Sequence, residues 1–82
     1  METKIALIGI IVHDIRNTER LNQLLHDYQE YIVGRMGIPY SQKGVNIISV
    51  VLDAPENIIS SLSGKLGMIR GITVKSMIAK TK

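Results

Sequence analysis

The order of strand-like and helix-like segments predicts an α+β fold of the ferredoxin-like type, β-α-β-β-α-β. Residues 4–12 and 45–52 carry Ile and Val on both alternating faces, which is typical of central strands covered above and below. Residues 31–38 and 72–79 also predict strands, but they contain glycine, arginine or lysine, which sheets tolerate at their edges. We therefore predict a four-stranded antiparallel sheet of strand order 4-1-3-2, with both helices on one face.

Two segments have the spacing of helices. Residues 18–29 repeat apolar side chains at i, i+3, i+4 and i+7, and Asn17 is suited to be the N-cap. Residues 53–56 (DAPE) have the chemistry of a helix start, and that helix should end at Gly67. The polar turn 39–44 should join the second and third strands in a hairpin, and residues 80–82 should fray.

Length and composition exclude several classes of protein. With 82 residues, the chain has room for one domain, residues 1–82. The absence of cysteine excludes disulfides, thiolate zinc sites, iron–sulfur clusters and thiol catalysis. The apolar run near the N-terminus is too short for a signal core or a membrane helix, so we expect a cytoplasmic protein without membrane contact.

The sequence offers little for catalysis, metal binding or nucleic-acid binding. The serines have no histidine and acid at a recognisable spacing, so we assign no catalytic residue and no cofactor. His13 and His26 alone do not supply the three or four ligands of a metal site, so we predict none. Neither central strand contains an aromatic residue on which bases stack in RNA-recognition modules, so we expect no direct nucleic-acid binding.

Two helices can cover only one face of the predicted sheet, although both central strands are apolar on both faces. We expect the uncovered face to pack against another copy of the chain, giving a dimer or a tetramer. Regular alternation along residues 31–38 places Arg35 and Gly37 on that face, and Ile32 and Met36 toward the helices. A guanidinium there needs an anionic partner, either a carboxylate of a neighbouring chain or a small-molecule effector.

The segments IALIGIIVHD, GRMGIP and LSGKLG resemble the small ACT-like proteins known as iron-only hydrogenase system regulators, and the resemblance covers nearly the whole chain. It implies a stand-alone regulatory domain that senses a ligand as a homo-oligomer, acts on an unknown protein partner and has no catalytic activity. The alternatives are a purely structural or protein-interaction module, or a transcription-linked metal sensor that has lost most of its ligands. The candidate ligand-binding or interface residues are Asp14, Arg35, Gly37 and Pro39.

The chain is also similar to the C-terminal domain of nickel-responsive transcription regulators. That resemblance places His26 at the helix histidine, Gly37 and Pro39 at the two strand histidines, and Val45 at the cysteine. One of the four ligands is retained, so we expect no nickel site, and Gly37 leaves space for close subunit packing or for a pocket. Only three residues precede Lys4, so we expect no DNA-reading segment before the domain.

Overall fold

The computed structural model describes residues 2–79 and confirms the ferredoxin-like α+β fold. The sheet is antiparallel, with the order β2-β3-β1-β4, which is the predicted order read from the opposite edge. Neither helix within the described residues is long and apolar enough to cross a membrane. The elements are β1 (Lys4–Val12), α1 (Thr18–Asp27), β2 (Ile32–Tyr40), β3 (Val45–Ala54), α2 (Glu56–Gly67) and β4 (Ile72–Ile78).

The core lies between the helices and one face of the sheet. The even-numbered residues of β1 from Ala6 to Val12 are buried there, whereas the odd-numbered ones point to the other side. The helices contribute one apolar stripe each. The fully buried residues with the largest side chains are Ile8, Ile10, Leu21, Leu25, Leu52, Ile59, Leu62, Leu66, Val12 and Val50.

Several predicted boundaries differ from the observed ones. A 3₁₀ turn, Gln29–Tyr31, follows α1, so the helix ends at Asp27 and not near residue 29. Strand β2 extends to Tyr40, so Pro39 lies in the strand and not in the turn. Proline is tolerated there because β2 is an edge strand. The predicted frayed tail, residues 80–82, lies outside the described residues.

Strand β2 contains one more residue than the stretch of β3 that it faces. Ile32 lies opposite Leu52, but Gly34 lies opposite Val51, so Val33 is an extra residue in the ladder. Such a β-bulge changes which face the following side chains point to, because successive side chains alternate.

The bulge reverses the predicted orientation of the rest of β2. Arg35 lies opposite Val50, and Gly37 lies opposite Ile48; both partners are buried beneath the helices. The prediction that Arg35 points to the uncovered face is therefore wrong, since Arg35 is on the helix side of the sheet. The residues that take the uncovered face in its place are Met36, Ile38 and Tyr40.

The end of β1 is joined tightly to the loop before β4. The carbonyl of Gly71 accepts hydrogen bonds from the backbone N–H groups of His13 (2.7 Å) and Asp14 (3.1 Å). Asn17 does not cap α1 as predicted; its side-chain amide donates to the carbonyl of Arg70 at 2.6 Å. Gly71 has a φ of 81°, and a Cβ atom at this position would overlap the Cβ of Asp14. Only glycine fits at this close approach.

Asp14 is held by Arg16 at the same junction. Its carboxylate accepts a hydrogen bond from the Arg16 backbone N–H (3.0 Å). It also accepts hydrogen bonds from the Arg16 guanidinium, of which the shortest is 2.8 Å, from Nη2 to Oδ2. The side-chain hydrogen bond with Arg16 is the main cause that lowers the pKa of Asp14 from 3.8 to about 2, and the backbone bond adds to it.

We predict that Gly71→Ala lowers the free energy of unfolding by about 2–4 kcal/mol, because it combines a left-handed backbone with an overlap against Asp14. The matched control is Gly44→Ala, since Gly44 also has a positive φ (66°) but its Cβ would meet nothing within 4 Å. That variant should lose only about 1–2 kcal/mol. Urea unfolding of both variants measures the difference. Equal losses would mean that the junction is not tightly packed.

Asp14 also predicts a pH dependence. Its pKa is lowered in the folded chain, so its contribution to stability is present above about pH 4 and is lost as the pH falls toward 2. Carboxyl-carbon NMR should give a midpoint of about 2 for Asp14, which moves back toward 3.8 in Arg16→Gln. Urea unfolding should show that Asp14→Asn is less stable than the wild type at neutral pH, and that the gap closes near pH 2. A gap that is constant from neutral pH to pH 2 would contradict the assignment.

Candidate functional site

The face of the sheet away from the helices is apolar, and no part of residues 2–79 covers it. Among residues 2–79, eleven large apolar side chains are exposed, and all but Ile15, Val33 and Met68 lie on this face. We call the other eight residues the open face: Ile5, Leu7, Ile11, Met36, Ile38, Tyr40, Ile47 and Met77. A contiguous apolar surface of this kind is typical of an interaction site.

The centre of the open face is lined by small residues. Gly9 and Ser49 lie opposite each other on the two central strands, and the same row continues to Met36 on β2 and Lys75 on β4. The register also places the carboxylate of Asp53, near the end of β3, on this side of the sheet. The face is thus a shallow apolar depression with charges of both signs near its rim.

A groove separates α1 from the edge strand β2. The helix packs Leu21 and Leu25 into the core, and the neighbouring stripe of α1 and the turn after it is polar. We call this the polar stripe; every third or fourth residue contributes to it, and its members are Thr18, Asn22, His26 and Gln29. Arg35 crosses the groove from β2, and its Nη2 donates to Oδ1 of Asn22 at 3.0 Å.

The Arg35–Asn22 contact divides the groove into two cavities. Both residues line both cavities, which have volumes of about 410 Å³ and about 290 Å³. We refer to the two cavities together as the Arg35 groove. The larger is completed by Leu25, His26, Gln29 and Ile32. The smaller is completed by Thr18, Gly37, Ile38, Pro39, Asn46, Ile47 and Ile48.

The Arg35 groove contains a positive charge but no carboxylate, since none of its lining residues is Asp or Glu. Within residues 2–79, the ion pairs are Lys4–Glu56 (3.0 Å) and Arg16–Asp14 (2.8 Å). Arg35 takes part in neither of them, and its side-chain hydrogen bond in this part of the chain is the one to the neutral amide of Asn22. The lining of the groove therefore carries a positive charge that no carboxylate of the groove neutralises.

The structure brings together three of the four predicted site residues. Arg35, Gly37 and Pro39 line the smaller cavity, on the helix side of β2. Asp14 lines neither cavity, because its carboxylate is engaged at the junction with Arg16. Gly37 leaves room in the smaller cavity, since a Cβ atom at this position would meet nothing within 4 Å.

The polar stripe was missed from the sequence. Asn22 and Gln29 were not singled out, and His26 was considered only as a metal ligand. The signal that could have revealed the stripe is its spacing, which follows one side of a helix next to the apolar stripe. That spacing alone does not show that a strand with an arginine lies beside it.

The residues of the groove do not form a nickel site. His26 lines the larger cavity, but Gly37, Pro39 and Val45 supply no imidazole or thiolate. The described residues contain no group of three or more His, Cys, Asp or Glu side chains that could hold a metal ion.

Outside the Arg35 groove, a third cavity lies between the two helices and has a volume of about 720 Å³. Its charges are mixed, because Glu19 and Asp27 line it together with three cationic residues, Arg16, Arg20 and Lys65. Beside it, the Tyr28 hydroxyl is 3.0 Å from Oγ of Ser61, and this hydrogen bond is the main cause that lowers the pKa of Tyr28. These polar contacts connect α1 to α2.

Comparison with known proteins identifies relatives of this fold. The structure of the uncharacterized protein TM1266 from Thermotoga maritima has a TM-score of 0.91 and 35% sequence identity, and the match covers 96% of this chain and 100% of that one. A formyltetrahydrofolate deformylase from Pseudomonas putida KT2440 matches with a TM-score of 0.63 and 13% identity, over 89% of this chain but 28% of the enzyme. The second likeness shows the fold alone.

A search of curated proteins gave no match. A family model does match residues 4–76, under the description "Iron-only hydrogenase system regulator, putative", and the family is called TM1266-like. The match covers both helices and nearly the whole sheet, including every residue of the Arg35 groove. Together with the close likeness to TM1266, it shows that this chain belongs to the TM1266-like family of iron-only hydrogenase system regulators.

Proposed function

We propose that the protein is a non-catalytic regulatory module of an iron-only hydrogenase system, which works in the cytoplasm as a homo-oligomer. In this proposal it binds a small-molecule effector and passes the signal to a protein partner. The observation that carries the proposal is the open face, an apolar sheet surface that one chain leaves exposed. The family description, which is that of a regulator, supports the absence of catalysis.

Stability favours an oligomer. Full burial of one Leu, Ile or Met side chain contributes about 1.5–3 kcal/mol, and the open face carries eight large apolar side chains. A small domain has a total stability of only about 5–15 kcal/mol. Covering this face would therefore add a large fraction of the stability that the chain has alone.

A second copy of the same chain fits the open face. Four strands of nine or so residues present roughly 600 Å² of flat area, from the rise per residue and the spacing between strands. Typical stable interfaces bury about 800 Å² per partner, so the face has the right size. A two-fold axis can bring Lys75 of one copy near Asp53 of the other, twice in the same interface. The small residues Gly9 and Ser49 allow the two sheets to approach closely.

Strand β2 connects the groove to the proposed interface. Arg35 and Gly37 line the Arg35 groove, Met36 belongs to the open face, and Ile38 borders both surfaces. A ligand that moves β2 would therefore move residues of both surfaces. A shared element of this kind is what coupling between a ligand site and an interface requires.

We predict that Val51→Asp abolishes assembly, because Val51 faces the same side of the sheet as Leu7 and would place a charge inside the interface. Light scattering at micromolar concentration should show a dimer or tetramer for the wild type and a monomer for the variant. Circular dichroism should show that the variant remains folded. Ile48→Asp is unsuitable for this test, since Ile48 is buried under the helices and its replacement should unfold the chain.

Met68→Asp is the matched control, because Met68 is also apolar and exposed but lies outside the open face. It should leave the oligomer intact. A wild type that is monomeric at micromolar concentration would contradict the proposal. So would assembly that is lost in Met68→Asp and retained in Val51→Asp, since the interface would then lie on the helices.

A further inference from the structure

We propose that the Arg35 groove binds the oxyanion of a small organic acid or phosphomonoester that has an apolar body. The site lies within a single chain, between α1 and β2, and not between subunits. The inference rests on the proposed regulatory function, because it gives the chemical class of the effector. The binding of an anion can be measured independently of any regulatory function.

The first argument is the guanidinium. Arg35 has five N–H donors in a planar fork, and the bond to Asn22 uses one of them. That bond directs the side chain across the groove and leaves its other N–H groups available to a ligand. Carboxylates and phosphates match the geometry of the arginine fork, and charge-assisted hydrogen bonds of this type are strong.

The second argument is the set of groups around Arg35. Asn22, His26 and Gln29 line the larger cavity, and each can donate a hydrogen bond from a side-chain nitrogen. The groove has no lining carboxylate that would repel an anion or neutralise the arginine. Its electrostatics therefore select for negative charge.

The third argument is the shape and polarity of the smaller cavity. Beyond Arg35 it is bounded by Gly37, Pro39 and Ile48, with Asn46 opposite Pro39, so this end is mostly apolar. A Cβ atom on Gly37 would project into open space, which shows that the glycine keeps this part of the groove free. The cavities, of about 410 and 290 Å³, are near the lower end of the range for ligand pockets, which fits a small metabolite.

The third cavity, of about 720 Å³ between the two helices, is a weaker candidate for an anion. Arg16 is already paired with Asp14, and Glu19 and Asp27 offset the other two cationic residues, so this cavity lacks a net preference for negative charge. This contrast also supplies the control. Arg20 lies on α1 like the polar stripe, but it lines the other cavity.

NMR titration of the isotope-labelled full chain tests the proposal. The probes are isovalerate, phenyl phosphate, inorganic phosphate and, as the uncharged control, isoamyl alcohol. We expect saturable shifts of the Arg35 side-chain N–H signal and of the backbone amides of residues 35–38 with at least one of the two organic anions. Isovalerate alone would assign a carboxylate effector, and phenyl phosphate alone a phosphate effector. Isoamyl alcohol should produce no saturable shift.

Two variants and one control test whether the anion binds in the groove. Arg35→Gln should weaken it at least tenfold, and Arg20→Gln should leave it unchanged. Gly37→Val should also abolish it by filling the smaller cavity, without loss of thermal stability, because β-branched residues are favoured in strands. The proposal is overturned if neither organic anion gives saturable shifts at the groove, or if Arg35→Gln binds as tightly as the wild type.

Light scattering on the same samples separates this inference from the proposed function. An oligomer that binds neither anion would remove the anion site and leave the proposed assembly standing. A monomer that binds in the groove would retain the anion site and remove the assembly.

Discussion

The structure depends on one geometric constraint: two helices can cover only one side of a four-stranded sheet. Strands β1 and β3 are apolar on both sides, and the core uses only the side under the helices. The other side retains side chains such as Ile5, Leu7 and Ile47 in contact with water. A soluble chain of this size rarely keeps such a surface uncovered. The proposed assembly is a consequence of this imbalance between the sheet and its helices.

The same shortage of helical cover produces the Arg35 groove. The helices bury the central strands, and the edge strand β2 lies beyond α1, with no residue of β2 fully buried. The helix side of β2 is therefore open beside the polar stripe, and Arg35 occupies it with a hydrogen bond to Asn22. The two candidate surfaces of the molecule are the two sides of one strand. One side belongs to the apolar open face, and the other side, which carries Arg35, borders the polar stripe.

The sequence predicted the architecture well, but not the surface on which the candidate site residues lie. Periodicity identified all four strands and both helices, because burial on one or two faces leaves a clear pattern. Arg35, Gly37 and Pro39 do lie on one side of β2, but it is the side opposite to the predicted one, since the bulge at Val33 breaks the alternation that the prediction assumed. A bulge depends on how a strand pairs with its neighbour, and no single residue of YIVGRMGIPY specifies it. Asp14 was grouped with them because sequence does not show that Arg16 and Gly71 already engage it.

The extra residue in β2 decides which side chains face each surface of the sheet. A deletion of Val33 would restore regular alternation and leave the later partners in place, with Arg35 still opposite Val50 on the helix side. If Val33 instead paired with Val51, every later side chain of β2 would turn to the opposite side. Met36 and Ile38 would then enter the groove, and the guanidinium of Arg35 would enter the apolar face. The same residues thus allow two arrangements of β2, and the bulge selects the one that keeps the charge out of the apolar face.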